Sequence, residues 1–543
     1  MQSINFNKYT PLPTTARQPE VGDLIGPVSR DTLIKFTIEL PPTTQREALD
    51  EIVRRAILDQ NKDIRLKEMT REQLRQLWNA SPTSLAQVFE LADHFNLRAT
   101  NASLIFRTVD LVGRATDVER AFRVKLHSYL EPRGGVSIQR NGALEVPDQL
   151  SELRVFGLDE RRMANSHARR ASASGSAKSA VGYFPDQIGR AYGVPLVNSR
   201  KLAQRAICLI ELGGRASRRY YESYCKARGY ALGQLVLVRS DGAERVPPYE
   251  PKGADGEVML DICVAAGVAQ GITLIVIFAE NTERGLISAL KLALNHELDP
   301  SMISISWGAP ETEWTLQAMA SIGDVVQECV LRKIKVFAAA GDNEASDNVK
   351  DGRFTVDFPS ALDLVWSCGG THIDIENGAI TKERVWGAAT KHCQGKGVGT
   401  GGGISQIVPR PAWQHPLNPP LPEGALLLPG RLSPDWAFAA DPLSGWIMKN
   451  TDGKFYIIGG TSAVAPFCAA ALSCIEASCG YRLPASPAWL YQLWRAEPSL
   501  FRDITQGSNG YPAASGYDLC TGLGSLQDFG ALLELCAGWR KAA

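Results

Sequence analysis

The sequence predicts an α/β protein in which a mainly parallel sheet carries helices on both faces and is preceded by a compact α+β domain. Three observations carry that expectation. Apolar, β-rich runs recur at 206–212, 234–239, 272–278, 302–307, 335–340 and 364–368, with helix-favouring stretches between them. Strands that read as continuous apolar runs are buried on both faces, as parallel strands are. Upstream, the pattern changes to the period-two alternation of Leu33-Ile34-Lys35-Phe36-Thr37-Ile38-Glu39-Leu40. Between the two regions lies RMANSHARRASASGSAKSA, residues 162–180, small, polar and basic, with the composition of an exposed linker.

The elements follow in order. Residues 1–21 are polar and hold three prolines, the composition of a flexible leader. Folded structure is expected from residue 22. Ala48, Ile52, Ala56 and Ile57 stand at helical spacing within 45–60, and a second amphipathic helix is expected over 84–95. Strand-like 103–112 follows, then a capping box, Thr116 with Glu119, opening a short helix, then strand-like 122–129. This first domain ends near 161, and the α/β domain occupies 181–543.

Length allows roughly three to four domain-sized units or fewer large ones. Lys+Arg and Asp+Glu each number 58, so the net charge is zero and no global basic field favours nucleic acid or an anionic membrane. The 11 cysteines are odd in number, absent before residue 208 and without a CxxC pair, so buried small hydrophobes are expected rather than a disulfide framework or zinc site. The uncharged run 455–475 is long enough to span a membrane, but Gly459, Gly460 and Pro466 interrupt it, and a core segment is expected. The first 20 residues show no ordinary secretion signal.

Three segments carry chemistry-bearing residues. Gly459-Gly460-Thr461-Ser462-Ala463-Val464-Ala465-Pro466 sits between a strand-like run and an Ala-rich helix, placing Ser462 at a helix N-terminus, where unpaired N–H groups can stabilise an oxyanion. A serine nucleophile needs a base, and none of the seven histidines stands in a His-Gly-Thr-His segment. Instead, Asp255-Gly256-Glu257-Val258-Met259-Leu260-Asp261 sets Glu257 and Asp261 on one face of an apolar helix, where paired carboxylates share a proton. Asp342, in KVFAAAGD, ends a strand at the carboxyl edge, where α/β proteins place ligands.

Together with Ile303-Ser304-Ile305-Ser306-Trp307-Gly308, these segments resemble the sedolisin family of serine-carboxyl peptidases, kumamolisin-like in pattern, over nearly the whole chain. The resemblance implies a subtilisin-like catalytic domain at 181–543, a ferredoxin-like α+β activation prosegment at 22–161 and a cleavable linker at 162–180. It further implies Ser462 as nucleophile, Glu257 as general base, Asp261 orienting Glu257, and Asp342 donating to the oxyanion. Glu211 and Trp307 would extend the network from Asp261. Asp503, Asp518 and the carbonyls of Ile504, Ala514 and Gly516 would hold one Ca2+ ion. Gly401, Gly402 and Gly403 would line the substrate cleft, and Asp357 would favour basic side chains there. The dinucleotide-like spacing Gly397, Gly399, Gly402 lacks a clear strand-to-helix context.

The activity so implied is an acid-active serine endopeptidase made as a zymogen, with protein or peptide substrates, its own prosegment as inhibitor, a monomeric state and an extracellular location. A base must be ionised while an oxyanion-donating carboxyl must be protonated, so activity is expected to peak below about pH 5.5. Acid is also expected to loosen the prosegment by protonating carboxylates. A tripeptidyl-peptidase of the same family and a non-catalytic binding protein on the same fold are the alternatives.

Overall fold

The computed structural model describes residues 4–17, 21–132, 134–170, 180–240, 253–349, 351–387, 397–449 and 453–541. Its centre is an eight-stranded sheet, in the order Leu235–Arg239, Thr273–Phe278, Ala206–Glu211, Met302–Ile305, Lys335–Ala339, Trp366–Glu376, Ala379–Val385, with Trp436–Ala439 also pairing with Trp366–Glu376. All pairings are parallel except that of Trp366–Glu376 with Ala379–Val385. The strand Ala206–Glu211 lies between Thr273–Phe278 and Met302–Ile305, while the next strand in sequence, Leu235–Arg239, takes the sheet edge beyond Thr273–Phe278. This reversal of order opens a crevice at the carboxyl ends, beside Glu211 and Ile305.

Strand alternation assigns the two faces. Ile207, Leu209, Leu274, Val276 and Met302 pack on helices Ala254–Val268 and Val464–Cys479. Cys208, Ile210, Ile275, Ile277, Ile303 and Ile305 pack on Glu283–Asn295 and Leu316–Leu331. Helix Ala254–Val268 is buried on every side because helices lie outside it as well, which explains its apolar circumference. The helix Thr461–Cys479, long and apolar enough to cross a membrane, is 89% buried inside the protein. The ten cysteines among the described residues are all buried.

The N-terminal domain is a four-stranded antiparallel sheet, Arg98–Ser103, Thr108–Arg114, Leu33–Glu39 and Arg154–Phe156, with its own core of Ile34, Phe36, Ile38, Val109 and Leu111. Helix Arg46–Lys62 carries Leu49, Val53 and Ile57 onto the larger domain, where they join the cluster around Leu316–Leu331. Two sequence expectations are corrected here. Residues 9–17, expected in a flexible leader, form strand Tyr9–Arg17, paired with Gly142–Pro147 and burying Leu12, Thr15 and Arg17; the prolines are tolerated at this two-stranded edge. Helix Ala115–Phe122 is entered through Arg114, so Thr116 is not its cap, and Glu119 instead accepts from Leu126 N–H and Lys125.

Charged side chains clamp the two domains together. Glu39, 2% exposed, accepts from Arg154 Nη1 at 2.9 Å, Lys291 Nζ at 2.9 Å and Ser321 Oγ at 2.7 Å, while Asp324 accepts from the same Arg154 nitrogen at 2.8 Å. Burial alone would push the Glu39 carboxyl up, but Lys291, Arg107 and Arg154 overcome it and hold the group well below the usual carboxylate range.

Candidate active site

Ser462 stands in the tight turn Thr461–Ala463 that leads into helix Val464–Cys479, fully buried at the sheet's carboxyl edge. Its Oγ is turned to the Ser306 carbonyl, 3.4 Å away. One helical turn separates Glu257 from Asp261 on Ala254–Val268, and both are fully buried. Ser306 Oγ donates to Asp261 Oδ2 at 2.7 Å, and Trp307 Nε1 donates to Glu211 Oε2 at 2.9 Å. Among the described residues, neither Glu257 oxygen completes a hydrogen bond.

Three carboxyls so packed cannot all ionise cheaply. Burial and then the Asp261 charge push Glu257 well above its ordinary value, eased by the neighbouring Ser462 hydroxyl. Burial and Glu211 raise Asp261; burial raises Glu211, with the Trp307 indole opposing and Glu257 adding to it. On the other side of Ser462, Asp342 Oδ1 accepts from Thr461 N–H and Oγ1, each at 2.8 Å, while Oδ2 lacks a hydrogen bond. Burial raises Asp342 as well, against the opposing His167, Thr461 and Arg169, so it holds its proton to a higher pH than an exposed aspartate.

The linker was expected to be exposed, but its first half threads this cleft; residues 171–179 lie outside the described residues. Asn165–Ser166 pairs antiparallel with Trp307–Pro310, and Arg169–Arg170 pairs antiparallel with Phe455–Gly459. Between them His167 N–H donates to Ser306 O at 3.3 Å, and its carbonyl accepts from Ser462 N–H at 3.3 Å. Gly460 has φ +114°, and a Cβ there would lie 1.9 Å from the His167 carbonyl oxygen and 2.7 Å from Asp342 Oδ2. Glycine is therefore required where the threaded carbonyl meets the turn. The His167 Nε2 lies 3.2 Å from Asp357 Oδ2 in a pocket shared with Asp347. Burial raises both acids well above ordinary values, Asp357 further through Asp342 and Asp347 further through Asp357.

The structure thus brings Ser462, Glu257, Asp261, Asp342, Glu211, Trp307 and Asp357 to one cleft. Gly401 lies behind the Asp342 loop, where its N–H donates to the Gly341 carbonyl at 2.8 Å and a Cβ on it would sit 1.8 Å from the Ala340 carbonyl oxygen; a Cβ on Gly402 would meet the Leu519 carbonyl oxygen at 2.3 Å and one on Gly403 the Tyr511 ring at 3.1 Å. Close backbone packing accounts for glycine there. Asp503 and the 514–518 turn also meet, for Asp503 accepts from Gly516 N–H and Ser515 Oγ, and Asp518 from Ala514 N–H. Asp518 is fully buried with no Lys or Arg partner among the described residues. Sequence reasoning missed the parts played by His167, Ser306 and Asp347. Asp347 and Ser306 stood within quoted segments or beside them, whereas His167 carries no local signal, since its place depends on a strand pairing across domains.

Fold and site together define a subtilisin-like serine peptidase carrying a docked prosegment. A family profile described as the pro-kumamolisin activation domain matches residues 23–159. Kumamolisin of Bacillus sp. (strain MN-32) is 35% identical over 517 residues, 92% of this chain and 91% of its own length. Tripeptidyl-peptidase sed5 of Aspergillus fumigatus is 25% identical over 485 residues, 79% of this chain and 80% of its own. The solved structure of Pseudomonas sedolisin, complexed with two molecules of pseudo-iodotyrostatin, matches the fold with a TM-score of 0.57 at 24% identity, over 67% of this chain and 99% of that one. The chain belongs to the sedolisin family of serine-carboxyl peptidases, in its kumamolisin-like branch.

Proposed function

We propose that the protein is an acid-active endopeptidase whose first substrate is its own linker, cut between His167 and Ala168. The observation that carries this reading is the His167 carbonyl held on the Ser462 N–H with Asp342 beside the same turn. Rotation of the Ser462 hydroxyl from Ser306 toward Glu257 sends its proton to the glutamate as Oγ bonds to the His167 carbonyl carbon. The developing oxyanion takes the Ser462 N–H and the protonated Asp342 carboxyl. Collapse breaks the bond to the Ala168 nitrogen, which receives the proton from Glu257, and water then hydrolyses the acyl-Ser462 ester. Asp261, fixed by Ser306, orients Glu257, and Glu211 with Trp307 closes the far side.

A tripeptidyl-peptidase would need its cleft blocked beyond the third residue before the cut. Here the chain continues through Met163 and Ala164, whose N–H groups donate to Asn281 Oδ1 at 3.2 and 2.8 Å, while Asn281 Nδ2 donates back to Ala164 O. That continuity supports endopeptidase action. The test is hydrolysis, from pH 2 to 8, of a peptide blocked at its amino end, by wild type and Ser462→Ala. Acid-limited cleavage by wild type alone is expected; cleavage only of free-amine peptides would favour the exopeptidase, and none after prosegment removal a binding protein.

Asp503 and Asp518, with the Ile504, Ala514 and Gly516 carbonyls, are an all-oxygen donor set suited to Ca2+, and the buried Asp518 without a cationic partner fits such a charge. Bound there, the ion would brace the C-terminal turns, and chelation is expected to lower the melting temperature in wild type but not in Asp518→Asn. An extracellular place of action follows from the family reading.

A further inference from the structure

We infer that a cavity on the seam between the prosegment and the catalytic domain, remote in role from the cleft, binds a small multivalent oxyanion such as phosphate or pyrophosphate. The cavity measures about 770 Å³. The prosegment contributes Arg65, Lys67 and Arg71 to its wall, and the catalytic domain Arg205, Arg332, Lys333 and Arg482. Among the lining residues Glu68, Glu297 and Asp299 oppose these seven cations; behind the wall, buried Glu476 lies 3.7 Å from Arg205 but is shared with Lys335 at 2.5 Å, so the described surroundings keep a positive surplus in a molecule whose net charge is zero.

The existing partners do not satisfy this cluster. Asp299 alone serves three guanidinium groups, those of Arg71, Arg332 and Arg482. The Arg332 side chain is 7% exposed, and among the described residues its buried Nε and Nη1 find no hydrogen-bond acceptor; the Nε of Arg71, on the opposite wall, is in the same condition. Buried guanidinium N–H groups are costly to leave unmade, and their forked geometry matches oxyanions. Lys333, 1% exposed, donates only to the Ile64 and Arg482 carbonyls, at 2.7 and 3.1 Å. Burial and the Lys335 charge lower it to about 8 against the opposing pull of Glu476, Glu68 and Asp63, the direction expected of an ammonium short of counter-charge.

Because the walls come from both domains, an anion held there binds the docked zymogen and not the separated parts, and so stabilises docking. The first probe is inorganic pyrophosphate, titrated calorimetrically into full-length Ser462→Ala at pH 7, with phosphate as the second probe and sodium chloride of equal ionic strength as control. The expected result is one site per chain, tighter for pyrophosphate, and a raised melting temperature that chloride does not reproduce. Arg332→Gln should weaken binding about tenfold, the scale of a lost charge-assisted contact. As Arg332 is buried, the more accessible pair Arg65→Gln with Lys67→Gln supplies a variant that keeps its fold and should weaken binding as well. A flat titration, an affinity unchanged by either variant, or an equal shift with chloride would overturn the proposal.

Discussion

The His167 carbonyl oxygen accepts from the Ser462 amide at 3.3 Å, so the chain presents one of its own peptide bonds to its own candidate nucleophile. Wild-type protein brought from pH 7 down through the range above about pH 4 in which the raised Glu257 carboxyl titrates is expected to yield a new N-terminus at Ala168. Ser462→Ala should stay intact. Intact-mass analysis reads both, and a first cut confined to another bond would remove His167–Ala168 from this role.

Asp357 and Asp347 form the pocket that receives the His167 ring. A basic side chain in this pocket would draw the raised Asp357 carboxyl back toward its ionised form, so replacing Asp357 with Asn should lower kcat/KM for peptides with a basic residue before the cut by roughly tenfold, the value of a lost charge-assisted contact of about 1.4 kcal/mol, while apolar residues there are affected less. An unchanged preference across a peptide library would locate selectivity elsewhere.

The carboxyls of Glu211, Glu257 and Asp261 all have raised values in the folded chain. The folded state therefore holds protons that the unfolded state releases above about pH 4. Their contribution to stability is fully present below that pH and is lost as pH rises through the raised values. Uncut Ser462→Ala is expected to melt at a lower temperature at pH 7 than at pH 4 on their account. Adding Glu257→Gln and Asp261→Asn should flatten that dependence; an equally steep one would assign it to other groups.

Glu39 has the opposite sign. Its depressed carboxyl contributes stability above about pH 4.3, and that contribution is lost only as pH falls toward a value well below the usual range. The clamp with Lys291 and Arg154 consequently survives at pH 4, so neutralising this carboxylate is not how acid would loosen the prosegment. Glu39→Gln should destabilise the zymogen by about 3–5 kcal/mol, because it strands buried cations. Denaturant unfolding reads the loss, and a change below about 1 kcal/mol, the scale of an exposed pair, would show the cluster to be solvated.

The sheet strands were legible because each is an apolar run buried on both faces, and Ser462, Glu257, Asp261 and Asp342 because each stands in a segment with a chemical reason for its pattern. Tyr9–Arg17 was not, since its partner strand lies about 130 residues away. The linker misled for a related reason: small polar residues such as Asn165 and Ser166 suit an exposed tether and equally suit a strand laid across a narrow groove. Composition distinguishes neither case, and only the facing strand decides.

Asn165–Ser166 is anchored upstream of the proposed cut, and the prosegment behind it is held by Glu39. Breaking the His167–Ala168 bond would not empty the groove. The freshly made terminal carboxylate would remain seated beside Ser462 as a tethered product inhibitor, and the lag before full turnover would then report departure of that product rather than the speed of the chemical step.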